Sequence, residues 1–181
     1  MTTTTRPARD EAAEYYFKYI DLVPDGDIVA GLADQLPEAL RLFSTVSEEA
    51  SLYRYAPDKW TIRQVLAHLN DTERLFAFRA FWFARGLDLD LPSFDQDVCA
   101  RNDGADRRSW RSLVEEFTAI RTSTISLFRH LPPEAWSRRG VASGNSFTVR
   151  ALAYIGVGHV SHHAAHLRGR YLAAQGAPPA V

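Results

Sequence analysis

Four of the six histidines in this 181-residue chain fall within "GHVSHHAAHL", residues 158–167. On a helix that turns about 100° per residue, setting His159 at zero places His162 near −60°, His163 near +40° and His166 near −20°. The four rings therefore share an arc of about 100°, and Leu152, Ile155, Val160 and Leu167 lie on the same side. This face points to the interior of a fold or to its mouth. Neutral imidazoles buried together each need a hydrogen-bond partner, and charged ones repel. A divalent cation removes both problems, because imidazoles at i and i+4 chelate one ion. His159/His163 and His162/His166 both have that spacing, and spacing alone does not choose between them. A third ligand is expected from a facing helix. The candidate is His68 in "VLAHLNDTE", on the apolar side with Val65 and Leu75. His130, in "FRHLPP", suits a helix C-terminus and is set aside.

The elements that must position these side chains read as helices. Residues 1–9 read as a disordered tail, residues 10–176 as one domain and residues 177–181 as a second tail. "DEAAEYYFKYIDLVP" predicts a short helix ending before Pro24. "DGDIVAGLADQLPEALRLFSTVS" predicts a long one, kinked at Pro37, where the imino acid deletes a backbone hydrogen bond. "KWTIRQVLAHLNDTERLFAFRAFWFARG" predicts the next, opened by a capping box of Thr61 and Gln64 and closed by Gly86. The connection "LDLDLPSFDQDVCARNDGAD" is long enough to suggest a functional loop. "RRSWRSLVEEFTAIRTSTISLFRHL" is the third long helix, and a fourth runs from about Thr148 to Gln175, ending at Gly176. No run alternates long enough to predict a strand. The expected class is all-α: a four-helix bundle with a short N-terminal helix and long inter-helix connections.

Composition excludes several functions. The formal charge is −1, from 21 basic and 22 acidic residues, so there is no electrostatic footprint for nucleic acid and no polybasic membrane patch. A single cysteine, Cys99, excludes an intramolecular disulfide and a zinc ribbon; with no neighbouring base in sequence it reads as inert. No stretch approaches the roughly 18–20 apolar residues of a membrane helix, and the polar N-terminus is no signal peptide. A cytoplasmic protein that acts on a small molecule is the expectation.

The segments "AEYYFKYIDLVPDGDI", "YAPDKWTIRQVLAHLNDTERLFAFRAFWFARG", "LPSFDQD" and "ALAYIGVGHVSHHAAHLRGRYL" resemble the DinB-like superfamily, close to its DinB/YfiT-type branch. The likeness spans about residues 12 to 172. Its most specific parts are Trp60-x4-Val65-x2-His68-x2-Asp71, the loop Phe94-Asp95-Gln96-Asp97, and Gly158-His159-x2-His162-His163. The resemblance implies a four-helix bundle holding a divalent metal through three histidines, matched here by His68, His159 and His163. It implies that His162 faces away. His166 stands where the family usually has an aliphatic residue, which leaves open a supplementary role for His162 or His166.

Around this set, Asp71 is a candidate to orient a ligand imidazole or act as base; its alternative is an ordinary ion pair with an arginine. Glu73 points away and reads as solvated. Asp95 and Asp97 read as loop supports, pinning it over the site mouth through arginines. Gly156 and Gly158 read as sites of close helix packing, and Tyr15, Tyr16 and Tyr19 as core. Three neutral histidines leave coordination positions open, as catalytic sites do. Zinc is the first choice of metal, with nickel or iron as alternatives. Some relatives imply a metal-dependent transferase that conjugates a low-molecular-weight thiol to an electrophile, with rim arginines such as Arg168 holding the thiol's carboxylates. The alternatives are a hydrolase that makes hydroxide from metal-bound water, and a non-catalytic metal-binding stress-response bundle. A homodimer is expected from the way such bundles pair.

Overall fold

The computed structural model describes residues 5–173. Each long helix starts where a side chain takes up the backbone N–H groups left free in a first turn. Helix α1 is the short Phe17–Ile20, and α2 is Ile28–Ser44, capped by Asp27, which accepts from the N–H groups of Val29 and Ala30. α2 runs through Pro37 to Ser44 without a break. Helix α3 is Ile62–Ala84. Its capping box is formed as expected: Thr61 Oγ1 accepts from Gln64 N at 3.1 Å, and Gln64 Oε1 accepts from Thr61 N at 3.0 Å. It ends at Gly86, whose φ of +71° is the left-handed turn that glycine makes without strain. α4 is Gln96–Asn102 and α5 is Trp110–Arg129, capped by Ser109. A hairpin of β1, Arg139–Ala142, and β2, Asn145–Thr148, leads into α6, Val149–His166, capped by Thr148. A wider π turn, Leu167–Leu172, continues α6.

The four long helices form the bundle. α3 packs against α5 and α6, and α2 packs against the same two helices. No described helix is long and apolar enough to cross a membrane.

Several sequence expectations are corrected here. The segment 10–23 is not one helix. Two 3₁₀ turns, Arg9–Glu11 and Glu14–Tyr16, precede α1. The tail expected over 1–9 is fixed from residue 5. Arg6 donates to the carbonyls of Ile20 (2.9 Å) and Val23 (2.6 Å) and pairs with Asp25 at 3.0 Å. The long polar connection contains α4 and a 3₁₀ turn, Ala105–Arg107. The connection before α6 holds the hairpin, which the sequence hides because each strand has only four residues. Its two-residue turn, Ser143-Gly144, has φ of +53° and +71°, which suits the twist of paired strands. The tail of 177–181 and the helix end at Gly176 lie outside the described residues.

The core is divided. One apolar cluster gathers Phe17, Ile28, Leu32, Phe76, Phe83, Phe128 and Phe147; the other gathers Phe43, Val65, Leu69, Trp110, Phe117, Val160 and Tyr171. Between them lies a polar layer that ties all four long helices. Glu73, expected in solvent, is 4% exposed and faces Arg121, which is fully buried. Arg121 donates to both Glu73 oxygens, at 2.6 and 2.8 Å, and to Gln35 Oε1 at 2.8 Å. The Gln35 amide then donates to the Val157 carbonyl and to Ser161 Oγ, both at 2.9 Å. The mean direction of Glu73 on an isolated helix does point away from His68. It points into α5, which a one-helix projection does not contain.

Removing one partner of a buried pair strands the other. Glu73→Ala should therefore lower stability by about 3–5 kcal/mol. The double replacement Glu73→Leu with Arg121→Met should recover most of that loss. Thermal melts of the three proteins check this.

Candidate metal centre

Two helices bring the rings together. His68 lies midway along α3, and His159 and His163 lie one turn apart on α6. His68 Nε2 is 3.2 Å from His159 Nε2, and His163 Nε2 is 3.1 Å from the same atom. Among the described residues these three form the group of nitrogens close enough to hold one ion, all within 4.8 Å of one another. A tetrahedral zinc with Zn–N bonds of about 2.0–2.1 Å separates neighbouring ligand nitrogens by roughly 3.3 Å. The donor set is thus the right kind at the right spacing.

Hydrogen bonding fixes one of the rings. Thr72 Oγ1 donates to the His68 carbonyl at 2.6 Å, one turn back along α3. Its single proton is used there, so at 3.3 Å it accepts from His159 Nδ1–H. His159 therefore carries its proton on Nδ1 and turns the Nε2 lone pair towards His68 and His163. One lone pair cannot serve two neighbours as a hydrogen-bond acceptor in the ring plane, whereas a cation satisfies all three nitrogens. His163 Nδ1 is buried without a partner. Thr72 was missed in the sequence. The signal was its position one turn after His68, but a threonine in a helix says nothing of a partner on another helix.

Burial keeps the rings neutral. Desolvation pushes His68 down to about 4, against a small opposing pull from Asp97. It pushes His163 down to about 3, with help from the neighbouring imidazoles, and carries His159 well below its ordinary value. Neutral imidazole is the form that ligates metal.

Rings pack around the cluster. Trp60 lies 5.0 Å from His68, Tyr19 lies 5.1 Å from His159, and Phe76 lies 5.9 Å from His159, centre to centre. Tyr19 gets there because Gly158 lets α1 approach α6. A Cβ on Gly158 would sit 2.0 Å from the Tyr19 carbonyl oxygen, while one on Gly156 would meet nothing within 4 Å. The close-packing expectation thus holds for Gly158 and not for Gly156.

Two cavities meet the triad. One, of about 250 Å³, is lined by His68, Thr72 and His159 with Tyr16, Tyr19 and Arg79. The other, of about 280 Å³, is lined by His163 and His166 with Trp60, Asp97 and Tyr171. Gln96, from α4, lies on both walls. All three tyrosines line the first cavity: Tyr19 belongs to the buried core as expected and Tyr16 packs against it, whereas Tyr15 is exposed.

The remaining candidates fall outside the triad. His162 is exposed and sits edge-on to Tyr19 at 5.4 Å. His166 packs against Tyr55 and Tyr171, at 5.8 and 5.7 Å, and borders the second cavity without joining the three nitrogens. His130 accordingly caps α5, with Nδ1 2.8 Å from the Ser126 carbonyl. Asp71 makes no described hydrogen bond to a ligand ring. It pairs with Arg74 at 3.6 Å, the ordinary ion pair of a helix. Asp95 supports the loop, but as the cap of α4, accepting from Asp97 N and Val98 N at 3.0 Å. Among the described residues neither Asp95 nor Asp97 pairs with an arginine, because the loop holds itself by a local turn. Arg168 borders a different, smaller cavity, beside Gln35 and Glu38.

The fold is a four-helix bundle in which three histidines from two helices could hold a metal ion. The sequence profile of the DinB superfamily matches residues 32–167, and the chain belongs to that superfamily. Among solved structures it is similar to YfiT from Bacillus subtilis, described as a probable metal-dependent hydrolase with an unusual four-helix bundle topology. That likeness has a TM-score of 0.68 at 17% identity and covers 95% of this chain and 94% of YfiT. No curated protein matches the chain.

Two outcomes follow for the metal-free protein. Because His68 is about 4 when folded and near 6.5 when unfolded, the unfolded state binds more protons between those values. Stability should fall as pH drops from about 6.5 to about 4, by roughly 3 kcal/mol from His68 alone. Denaturant titrations of chelator-treated protein across that range, with His68→Phe losing part of the slope, check it. Gly158→Ala should lower the melting temperature, because overpacking against fixed backbone costs about 1–3 kcal/mol and exceeds the gain in helix propensity.

Proposed function

We propose that the chain is a metal-dependent enzyme in which His68, His159 and His163 hold one divalent ion, zinc first. We propose further that it transfers a low-molecular-weight thiol to a small electrophile. The observation that carries this reading is the convergence of three neutral Nε2 atoms between two cavities. When bound, such a metal lowers the pKa of a thiol so that it reacts as thiolate near neutral pH.

The chain's own residues do the rest. Thr72 holds His159 in the tautomer whose Nε2 lone pair faces inward. The rings of Trp60, Tyr19 and Phe76 keep bulk water from the imidazoles and fix their planes. The cavity at His68 and His159 and the cavity at His163 give two molecules separate approaches to one centre, which is what a two-substrate transfer needs.

Taking the proton from water or from a thiol is work a bound metal would itself assist, by lowering the pKa of either. Asp71, the sequence's candidate base, is turned to Arg74. The two approaches to one centre support the two-substrate transfer; hydrolysis, the activity in YfiT's description, is the competing outcome.

Elemental analysis of untagged protein should find about one equivalent of metal, lost in His68→Ala and in His163→Ala. Conjugation of a chloronitrobenzene should then be followed with glutathione, bacillithiol and mycothiol in turn. The expected result is thiol consumption that requires metal and falls at least about 100-fold in either variant. Retention of metal in either variant rejects the ligand set. Ester or amide cleavage with no thiol consumed rejects the transferase in favour of a hydrolase.

A further inference from the structure

Three arginines are almost wholly buried: Arg63, Arg79 and Arg121, at 6%, 2% and 0% exposure. Arg63 faces Glu48 at 2.5 Å and Arg121 faces Glu73 at 2.6 Å. Arg79 differs from both. Its Nη2 donates to the Pro92 carbonyl at 3.1 Å and to Ser143 Oγ at 2.8 Å, both uncharged. Its Nε is buried without a hydrogen-bond partner. Burial works most against its charge, and the group that opposes this is the Tyr16 hydroxyl, which hydrogen-bonds to it and is uncharged. Among the described residues no carboxylate pairs with it. A buried cation without a counter-ion costs several kcal/mol, so proteins rarely keep one for packing alone.

Arg79 also lines the cavity of about 250 Å³ that opens onto His68 and His159. With His68 at zero on α3, Thr72, Leu75, Phe76 and Arg79 fall near +40°, −20°, +80° and +20° at about 100° per residue. One stripe of α3 thus carries a ligand histidine at one end of the cavity wall and the unpaired guanidinium at the other. Rings of Tyr16, Tyr19, Phe76 and Phe94 make up much of the wall between them.

We propose that Arg79 is the anion-binding residue of this cavity and that the small molecule taken there carries a carboxylate on a flat apolar body. The Nε–H without a partner in the chain suits a carboxylate oxygen, and the aromatic walls suit the body. This deepens the reading above by naming the substrate's charged group, and it rests on the cavity rather than on which metal is bound.

Calorimetric titration with benzoate, benzamide and phenyl phosphate tests it, on zinc-loaded and on chelator-stripped protein. Benzoate should bind at least about tenfold more tightly than its neutral isostere benzamide, with or without zinc. Arg79→Met should abolish that preference while the metal content stays at its wild-type level. Should Arg79→Met fail to fold, Arg79→Lys decides, since it keeps the charge and loses the unpartnered Nε–H; benzoate should weaken severalfold. Equal binding of benzoate and benzamide, binding of neither, or a benzoate preference intact in the variant overturns the proposal. Tighter binding of phenyl phosphate with the same dependence on Arg79 overturns the carboxylate assignment. Protein that takes up no zinc when zinc is supplied, yet keeps the benzoate preference, leaves Arg79 in its role and sinks the metal reading alone.

Discussion

Polar groups carried into the middle of a helical bundle must find partners, and that requirement organises this molecule. Two apolar clusters would pack without any polar layer between them, yet Gln35, Glu73, Arg121 and Ser161 are placed there and joined into one chain of hydrogen bonds across four helices. A carboxylate facing the fork of an arginine tolerates little misalignment, so the layer fixes the register of α3 against α5 and, through Gln35, of α6 against α2. Thr72 and Glu73 are adjacent on α3. The bond that holds Glu73 towards α5 therefore also sets the position of Thr72 against His159. The histidine cluster inherits its geometry from this layer.

Two of the groups left incomplete border the candidate site. His159 Nε2 faces two other imidazole nitrogens with one lone pair, and Arg79 has a buried N–H and no counter-ion. Both sit beside cavities rather than within packed core. Elsewhere the buried arginines are answered by carboxylates of the chain itself. The proposed cation and the proposed anion would each complete one of these groups.

Much of this was legible in the sequence. The capping box of Thr61 and Gln64 and the start near Thr148 were read, because a side chain that bonds its own first turn acts within four residues; the caps at Asp27 and Ser109 came only with the structure. The shared face of His159 and His163 follows from helical spacing, and the resemblance to the superfamily joined them to His68. Long-range pairings were not legible. Glu73 looked solvated until α5 was beside it, and Asp71 looked closer to the chemistry than it is. The hairpin before α6 is too short to show a period of two. Its turn nonetheless holds Arg79 through Ser143. Tyr19 reaches the site only because Gly158 allows it, a fact of inter-helix distance.

The central claim is that three imidazoles from two helices meet on one cation and leave part of its coordination free. X-ray absorption spectroscopy of the zinc-loaded protein tests this most directly. The account predicts outer-shell scattering from three imidazoles, first-shell nitrogens at about 2.0–2.1 Å, and a remaining light-atom ligand that exchanges when a thiol is added. Scattering from fewer than three imidazoles, or from four with no exchangeable position, would contradict it.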